Sequence, residues 1–161
     1  MCFLSYKPRA HFRKCEFLTD SLILGHLAQK ATKFTCVNQI NPANLRIRRA
    51  LVSDAAAICE IYNHEVQFET STFDLVPRTL ETQSVWITAR SGAFSAIVCV
   101  TPEDEVVGFG ALSEYRDRAA YSTSVENSVY VKRDLGRRGI GRLILKTLLE
   151  QAADSGFHVV M

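Results

Sequence analysis

One stretch of this chain concentrates residue types suited to holding an anion: Val129-Tyr130-Val131-Lys132-Arg133-Asp134-Leu135-Gly136-Arg137-Arg138-Gly139-Ile140-Gly141-Arg142. A strand-like segment runs into a glycine turn, and the turn opens a helix. Gly139 and Gly141 remove side chains where a ligand must approach the backbone closely. The first N–H groups of a helix lack intrahelical partners, and the helix dipole favours negative charge there. Arg137, Arg138 and Arg142 add positive charge around the same turn. Together these features predict a cradle for a phosphate or pyrophosphate. The glycines are spaced G-x-x-G-x-G, whereas the two familiar nucleotide loops need Gly-Lys-Ser/Thr or G-x-G-x-x-G, and neither occurs here. The plainer alternative is a tight strand-to-helix turn with a solvated basic face.

The elements that must position this turn follow from periodicity. Ser124 to Val131 alternates, with Val125, Asn127, Val129 and Val131 facing one way and Ser124, Glu126, Ser128 and Tyr130 the other. After the turn, Ile140, Leu143, Ile144, Thr147 and Leu148 give an apolar stripe to a helix from about Gly139 to Asp154, capped by Gly156. Phe157 to Met161 begins another strand. Earlier in the chain, Leu45-Arg46-Ile47-Arg48 alternates as a strand, and Ser53 is placed to cap a helix whose Ile58, Ile61 and Tyr62 share a face. Residues 67–77 read as irregular, and a second helix is expected over Thr79–Ala89, stopped by Ser91-Gly92. Phe94 to Val100 is a nearly continuous apolar run, which predicts a strand buried on both faces. Pro102 to Glu105 turns the chain into a return strand, Val106 to Leu112. The order β α α β β β α β predicts a mixed sheet in an α/β or α+β layered fold.

The 161 residues contain 19 Lys and Arg against 17 Asp and Glu, a net charge of +2 that gives no case for a nucleic-acid partner. The charge is uneven. Residues 1–44 carry Lys7, Arg9, Arg13, Lys14, Lys30 and Lys33 against Glu16 and Asp20, so this basic N-terminal extension is expected to be unassigned or poorly ordered. Residues 45–161 are expected to form the functional domain. Five cysteines with no C-x-x-C argue against a disulfide framework or a zinc site, and fit a reducing cytoplasm. Cys59 and Cys99 read as small core residues, and His64 and His158 as a helix-end and a strand residue without chemistry. No apolar run approaches the roughly 18–20 residues of a membrane helix, so no membrane partner is expected.

At this point the sequence resembles a known family. Val131-x-Arg133-x-x-x-Arg137-Arg138-Gly139-Ile140-Gly141-Arg142-Leu143-Ile144-Leu145 is similar to the acetyl-CoA-binding motif of the GNAT superfamily of N-acetyltransferases, [RQ]-x-x-G-x-[GA]. It departs at Gly136, where the family carries Arg or Gln, and Arg137 and Arg138 supply the charge instead. Asn63-His64, Thr70-Ser71-Thr72, Arg116-x-Arg118-x-x-Tyr121 and Val125-Glu126 further resemble phosphinothricin acetyltransferases, which acetylate the α-amino group of small amino acids and their analogues. The resemblance covers about residues 45–161 and none of the first 44.

What the resemblance implies is specific. The fold is a GNAT-like mixed, mostly antiparallel central sheet flanked by helices, with the family's last helix and strands absent. The co-substrate is acetyl-CoA, with no metal, and the partner is a small-molecule amine. Glu126 matches the general base that takes the proton from the amine, although an isolated Glu here would read as a solvated strand residue. Val129, Tyr130 and Val131 pair with the pantetheine arm, and an N–H near Val129 stabilises the oxyanion. Arg137, Arg138, Gly139, Ile140, Gly141 and Arg142 cradle the pyrophosphate. Arg116, Arg118 and Tyr121 take the substrate's carboxylate or phosphinate, with a solvated loop as the alternative. Thr70, Ser71 and Thr72 line the substrate pocket or stabilise their loop. Complete family members continue past the strand at Phe157 with a helix and a hairpin that add a cofactor-contacting Asn and a thiolate-protonating Tyr. A second expectation is therefore a CoA-binding module without turnover. The uncovered edge beside Phe157–Val160 also predicts pairing with another copy as a homodimer.

Overall fold

The computed structural model describes residues 41–161, and the basic extension called out by charge lies outside them up to residue 40. Five strands form one sheet in sequence order: β1 (Arg46–Arg49), β2 (Ile97–Val100), β3 (Val106–Glu114), β4 (Ser124–Val131) and β5 (Val159–Val160). The first four pair antiparallel, and β5 pairs parallel to β4, with Ser124 opposite Val159. Helices α1 (Ala55–Phe68) and α2 (Leu80–Thr88) cover one face, and α3 (Ile140–Asp154) covers the other. This is the mixed sheet in a layered fold expected from the element order, mostly antiparallel as the family resemblance implies.

The burial pattern explains the layers. In β2, Val98 and Val100 pack toward α1 and α2 while Ile97 and Cys99 pack toward α3, so every residue of the strand is buried. On β4, Val125, Val129 and Val131 belong to the α3 side and Tyr130 to the α1 side. Two glycines of β3 let α3 lie close to the sheet. A Cβ on Gly110 would stand 2.7 Å from Ile144 Cγ2 and 2.9 Å from the Ser128 carbonyl oxygen. No helix of the described residues is long and apolar enough to cross a membrane.

Two boundaries differ from expectation. Ser53 does not cap α1. The chain first makes a 3₁₀ turn over Val52–Asp54, and Asp54 is the residue whose carboxylate is spent, accepting from Leu51 N–H at 2.8 Å and from both Arg48 Nη atoms at 2.7 and 2.9 Å. The second apolar strand begins at Ile97 rather than Phe94, because Gly92–Phe94 forms another 3₁₀ turn that carries Phe94 against Phe157. Thr79 caps α2, accepting from Thr82 N–H at 3.2 Å.

Candidate functional site

The C-terminal half of β4 and the start of α3 form one wall of a cavity of about 640 Å³. Val129, Tyr130, Val131, Lys132, Arg133, Gly136, Arg137 and Gly141 line that side, and Glu65 and Ser71 line the other. Such a volume suits a small-molecule ligand, since ligand clefts run to about 300–1,000 Å³.

The turn between β4 and α3 is built around amide groups. Arg133–Leu135 forms a 3₁₀ turn that buries Leu135. Arg137 then adopts φ 60° and Gly139 φ 82°, two left-handed residues in close succession. Alternation of this kind bends successive N–H groups toward a common centre, an anion nest. Among the described residues, none of the N–H groups of residues 138–142 donates to a protein acceptor, and the first α3 bond runs from Leu143 N–H to the Gly139 carbonyl at 3.0 Å. Five consecutive amides at the cavity's edge are thus available, with the α3 dipole behind them.

The cations around the turn divide into two groups. Lys132 is bound to Glu105 at 3.0 Å, which raises its pKa, and Arg133 is bound to Glu69 and lies 3.8 Å from Glu65. Arg137 and Arg138 form no ion pair among the described residues, so they are the charges free to meet an anion. Ile140 is buried in the core beneath the turn and contributes only its backbone. Arg142 lies elsewhere: it lines a shallow groove with Leu145, Lys146 and Leu149 on the outer face of α3, because one helical step past Gly141 turns its side chain away from the cavity.

The outer edge of β4 contributes a second set of backbone groups. Lys132 N–H bonds to the Val107 carbonyl on the β3 side, whereas Asn127 N–H bonds to the Met161 carbonyl on the β5 side. By the two-residue alternation, Val129 and Val131 send their N–H and C=O groups to the β5 side. Among the described residues nothing pairs with them there.

Glu126 is exposed on β4, opposite Ser113 of β3, on the sheet face shared with Tyr130. Farther along that face, Tyr62 donates to Asp74 at 2.5 Å, touches Thr72 at 3.0 Å, and carries the Arg78 guanidinium 3.8 Å above its ring. Burial raises the pKa of the Tyr62 and Tyr130 phenols above the ordinary 10, so both stay neutral at physiological pH. Asn63 holds the Arg78 backbone from both sides, accepting from its N–H at 2.7 Å and donating to its carbonyl at 2.8 Å. Thr72 therefore belongs to a loop-fixing network, while Ser71 reaches the cavity. Arg116, Arg118 and Tyr121 line a separate cavity of about 350 Å³ with Ser124, Phe94 and Phe157. Glu126 falls between the two cavities along β4, roughly 7 Å from Ser124 and roughly 10 Å from Val129 at strand spacing.

Ser71 lines a cavity as one of its two expected roles has it, whereas sequence reasoning gave no place there to Glu65, Lys132 and Arg133. A signal for Glu65 was present: it continues the stripe of Ile58, Ile61 and Tyr62 at the next helical step, so the helix buries an acid on its core face.

Comparison with known proteins bears on this geometry. Residues 56–161 match the model of the acetyltransferase (GNAT) family. The chain is 34% identical over 119 residues to phosphinothricin N-acetyltransferase of Streptomyces coelicolor, covering 72% of this chain and 70% of that protein. It is 32% identical to the L-methionine sulfoximine/L-methionine sulfone acetyltransferase of Pseudomonas paraeruginosa, covering 71% and 67%. Among solved structures, an acetyltransferase of Salmonella typhimurium with its cofactor acetyl-CoA superposes with a TM-score of 0.68 at 30% identity, over 73% of this chain and 68% of that one.

Proposed function

The chain belongs to the GNAT family of acetyltransferases, and from that premise we propose that it moves an acetyl group from acetyl-CoA to the amino group of a small amino acid or analogue, with Glu126 as general base. The observation that carries the reading is the row of unpartnered amides at residues 138–142, beside a cavity also lined by Arg137 and the outer edge of β4. The relatives named for phosphinothricin and for methionine sulfoximine support an amino-acid-like acceptor.

Acetyl-CoA supplies the thioester carbonyl that the amine attacks. The amides of residues 138–142, with Arg137 and Arg138, suit its pyrophosphate. The outer N–H and C=O groups of Val129 and Val131 suit the pantetheine amides, in the manner of an added strand. Glu126, exposed on the strand that carries them, accepts the proton an ammonium must lose before it attacks, directly or through water. An N–H near Val129 donates to the carbonyl oxygen as it gains negative charge; the C–S bond then breaks as the C–N bond is completed, and the departing CoA thiolate takes a proton from water. Arg116, Arg118 and Tyr121 receive the acceptor's carboxylate or phosphinate from the far side of Glu126, which the shared position of Ser124 in their cavity supports. The free thiols of Cys59 and Cys99 agree with a cytoplasmic setting.

The test is release of free thiol from acetyl-CoA, with phosphinothricin and methionine sulfoximine as acceptors. Amine-dependent release is expected. A thermal shift with CoA but no release under any acceptor would leave a binding module in place of the enzyme, and neither shift nor release would remove both.

A further inference from the structure

The cavity's second wall is the end of α1 with the loop that follows, and it is joined to the cradle wall by charge. Arg133, in the 3₁₀ turn just after β4, is bound to Glu69, the residue that ends α1, and faces Glu65 at 3.8 Å. Glu65 is buried, and its other carboxylate oxygen accepts the Ser71 hydroxyl at 2.6 Å. Glu65, Ser71 and Arg133 all line the cavity together with Val129, Val131 and Gly141. An acid buried in the wall of an anion cradle works against phosphate binding unless it does something else, and here Arg133 and Ser71 hold it.

We propose that Arg133, Glu65 and Glu69 form an ionic clasp across the cofactor cavity, with Arg133 as a positioning residue that sets how closely the Glu65–Ser71 wall approaches the pantetheine arm of the acyl donor. The inference rests on the acetyl-CoA reading above. It differs from a simple charge contact in one respect. If Arg133 acted on the phosphates directly, Glu69 would oppose binding, and its removal would tighten it. In the clasp, Glu69 helps binding, because it fixes Arg133 and through it the wall.

The experiment measures donor affinity by titration calorimetry, and donor and amine KM separately, on the unaltered chain, Glu69→Gln, Arg133→Met and the conservative variant Arg133→Lys. Glu69 and Arg133 are partly exposed, and the buried Glu65 keeps its Ser71 hydrogen bond when Arg133 is replaced. S-acetylpantetheine, which has no phosphates, serves as the second donor. The clasp predicts that Glu69→Gln and Arg133→Met each weaken acetyl-CoA binding by about threefold to tenfold, the range of a partly buried ion pair. The loss persists with S-acetylpantetheine, donor KM rises while amine KM holds, and Arg133→Lys, which keeps the charge between Glu65 and Glu69, retains most of the affinity that Arg133→Met loses. Tighter or unchanged acetyl-CoA binding in Glu69→Gln overturns the clasp, as does a loss confined to the phosphorylated donor or an Arg133→Lys protein no better than Arg133→Met. Failure of the unaltered chain to bind acetyl-CoA overturns the acetyltransferase reading, and the clasp with it.

Discussion

Replacing Gly139 and Gly141 by alanine, one at a time, separates two roles of glycine at the cradle. At Gly139 φ is 82° and nothing lies within 4 Å of the place a Cβ would take, so crowding is absent and the whole cost is backbone. An L side chain held in the left-handed region costs about 1–2 kcal/mol. At Gly141 the added Cβ would rest 3.6 Å from Val131 Cγ2 and 3.9 Å from Val129 Cγ1, ordinary contact distances. Alanine inside a helix gains up to about 1 kcal/mol over glycine. The two variants should therefore differ in folding stability by about 1–3 kcal/mol, read as a shift of the urea midpoint at constant slope. Binding should separate them further. Relief of the strain at residue 139 rotates the neighbouring amides out of register with a shared anion, and losing one charged hydrogen bond costs about 1.5–3 kcal/mol, or roughly 10- to 150-fold in affinity for CoA. Gly141→Ala should stay within about threefold of the unaltered chain, a change of under 1 kcal/mol. A Gly139→Ala protein as stable and as tight for CoA as the unaltered chain would refute the argument. So would a Gly141→Ala protein that loses as much as Gly139→Ala.

Three further outcomes follow from the fold. Gly110→Ala forces a Cβ to within 3.0 Å of Ile144, Leu148 and the Ser128 carbonyl, so α3 must shift, and calorimetric melting should show about 1–3 kcal/mol of destabilisation. Burial works against the charge of Asp54, but hydrogen bonds from Arg48 and Leu51 outweigh it and hold its carboxyl below the ordinary 3.8. The folded chain then binds fewer protons than the unfolded one in acid, so this stability is complete above the ordinary carboxylate range and is lost as pH falls through and below it. In urea titrations across that range Asp54→Asn should lose about 2–4 kcal/mol at neutral pH and show a flatter acid dependence. Arg90 donates to the Leu112 and Phe94 carbonyls at 2.6 and 3.2 Å and stacks 4.1 Å over Trp86, the chain's single tryptophan. Arg90→Met should cost about 1–3 kcal/mol through the stranded carbonyls and shift the Trp86 emission maximum.

The order and type of the elements were legible because each rests on a local pattern that tertiary contacts reinforce. The alternation from Ser124 to Val131, the stripe from Ile140 to Leu148 and the apolar run ending at Val100 each became the element they predict. The α1 start was not legible at Ser53. The chain takes a 3₁₀ turn there instead, with the Asp54 carboxylate held by Arg48 of β1 and by Leu51 N–H, partners that a helix-cap pattern does not show. At the site, glycine spacing pointed to the turn with its unpartnered amides but not to which arginines stand beside it. Arg142 faces away by one helical step, and Arg133 is committed to Glu65 and Glu69, facts of side-chain direction and partner choice that spacing alone does not carry. The grouping of Arg116, Arg118 and Tyr121 in one loop was legible, and their cavity, separate from the cradle, was not.

Glu126 is proposed to take the amine's proton, and one comparison tests that role most directly. The rate of thiol release at saturating acetyl-CoA and acceptor is measured for the unaltered chain and for Glu126→Gln, with CoA affinity determined on the same samples. The amide keeps the size of the side chain and cannot take up a proton, so the rate should fall by about 100-fold or more, the scale of general base catalysis, while CoA affinity holds. Equal rates in the two proteins would contradict the assignment and move the base to another residue.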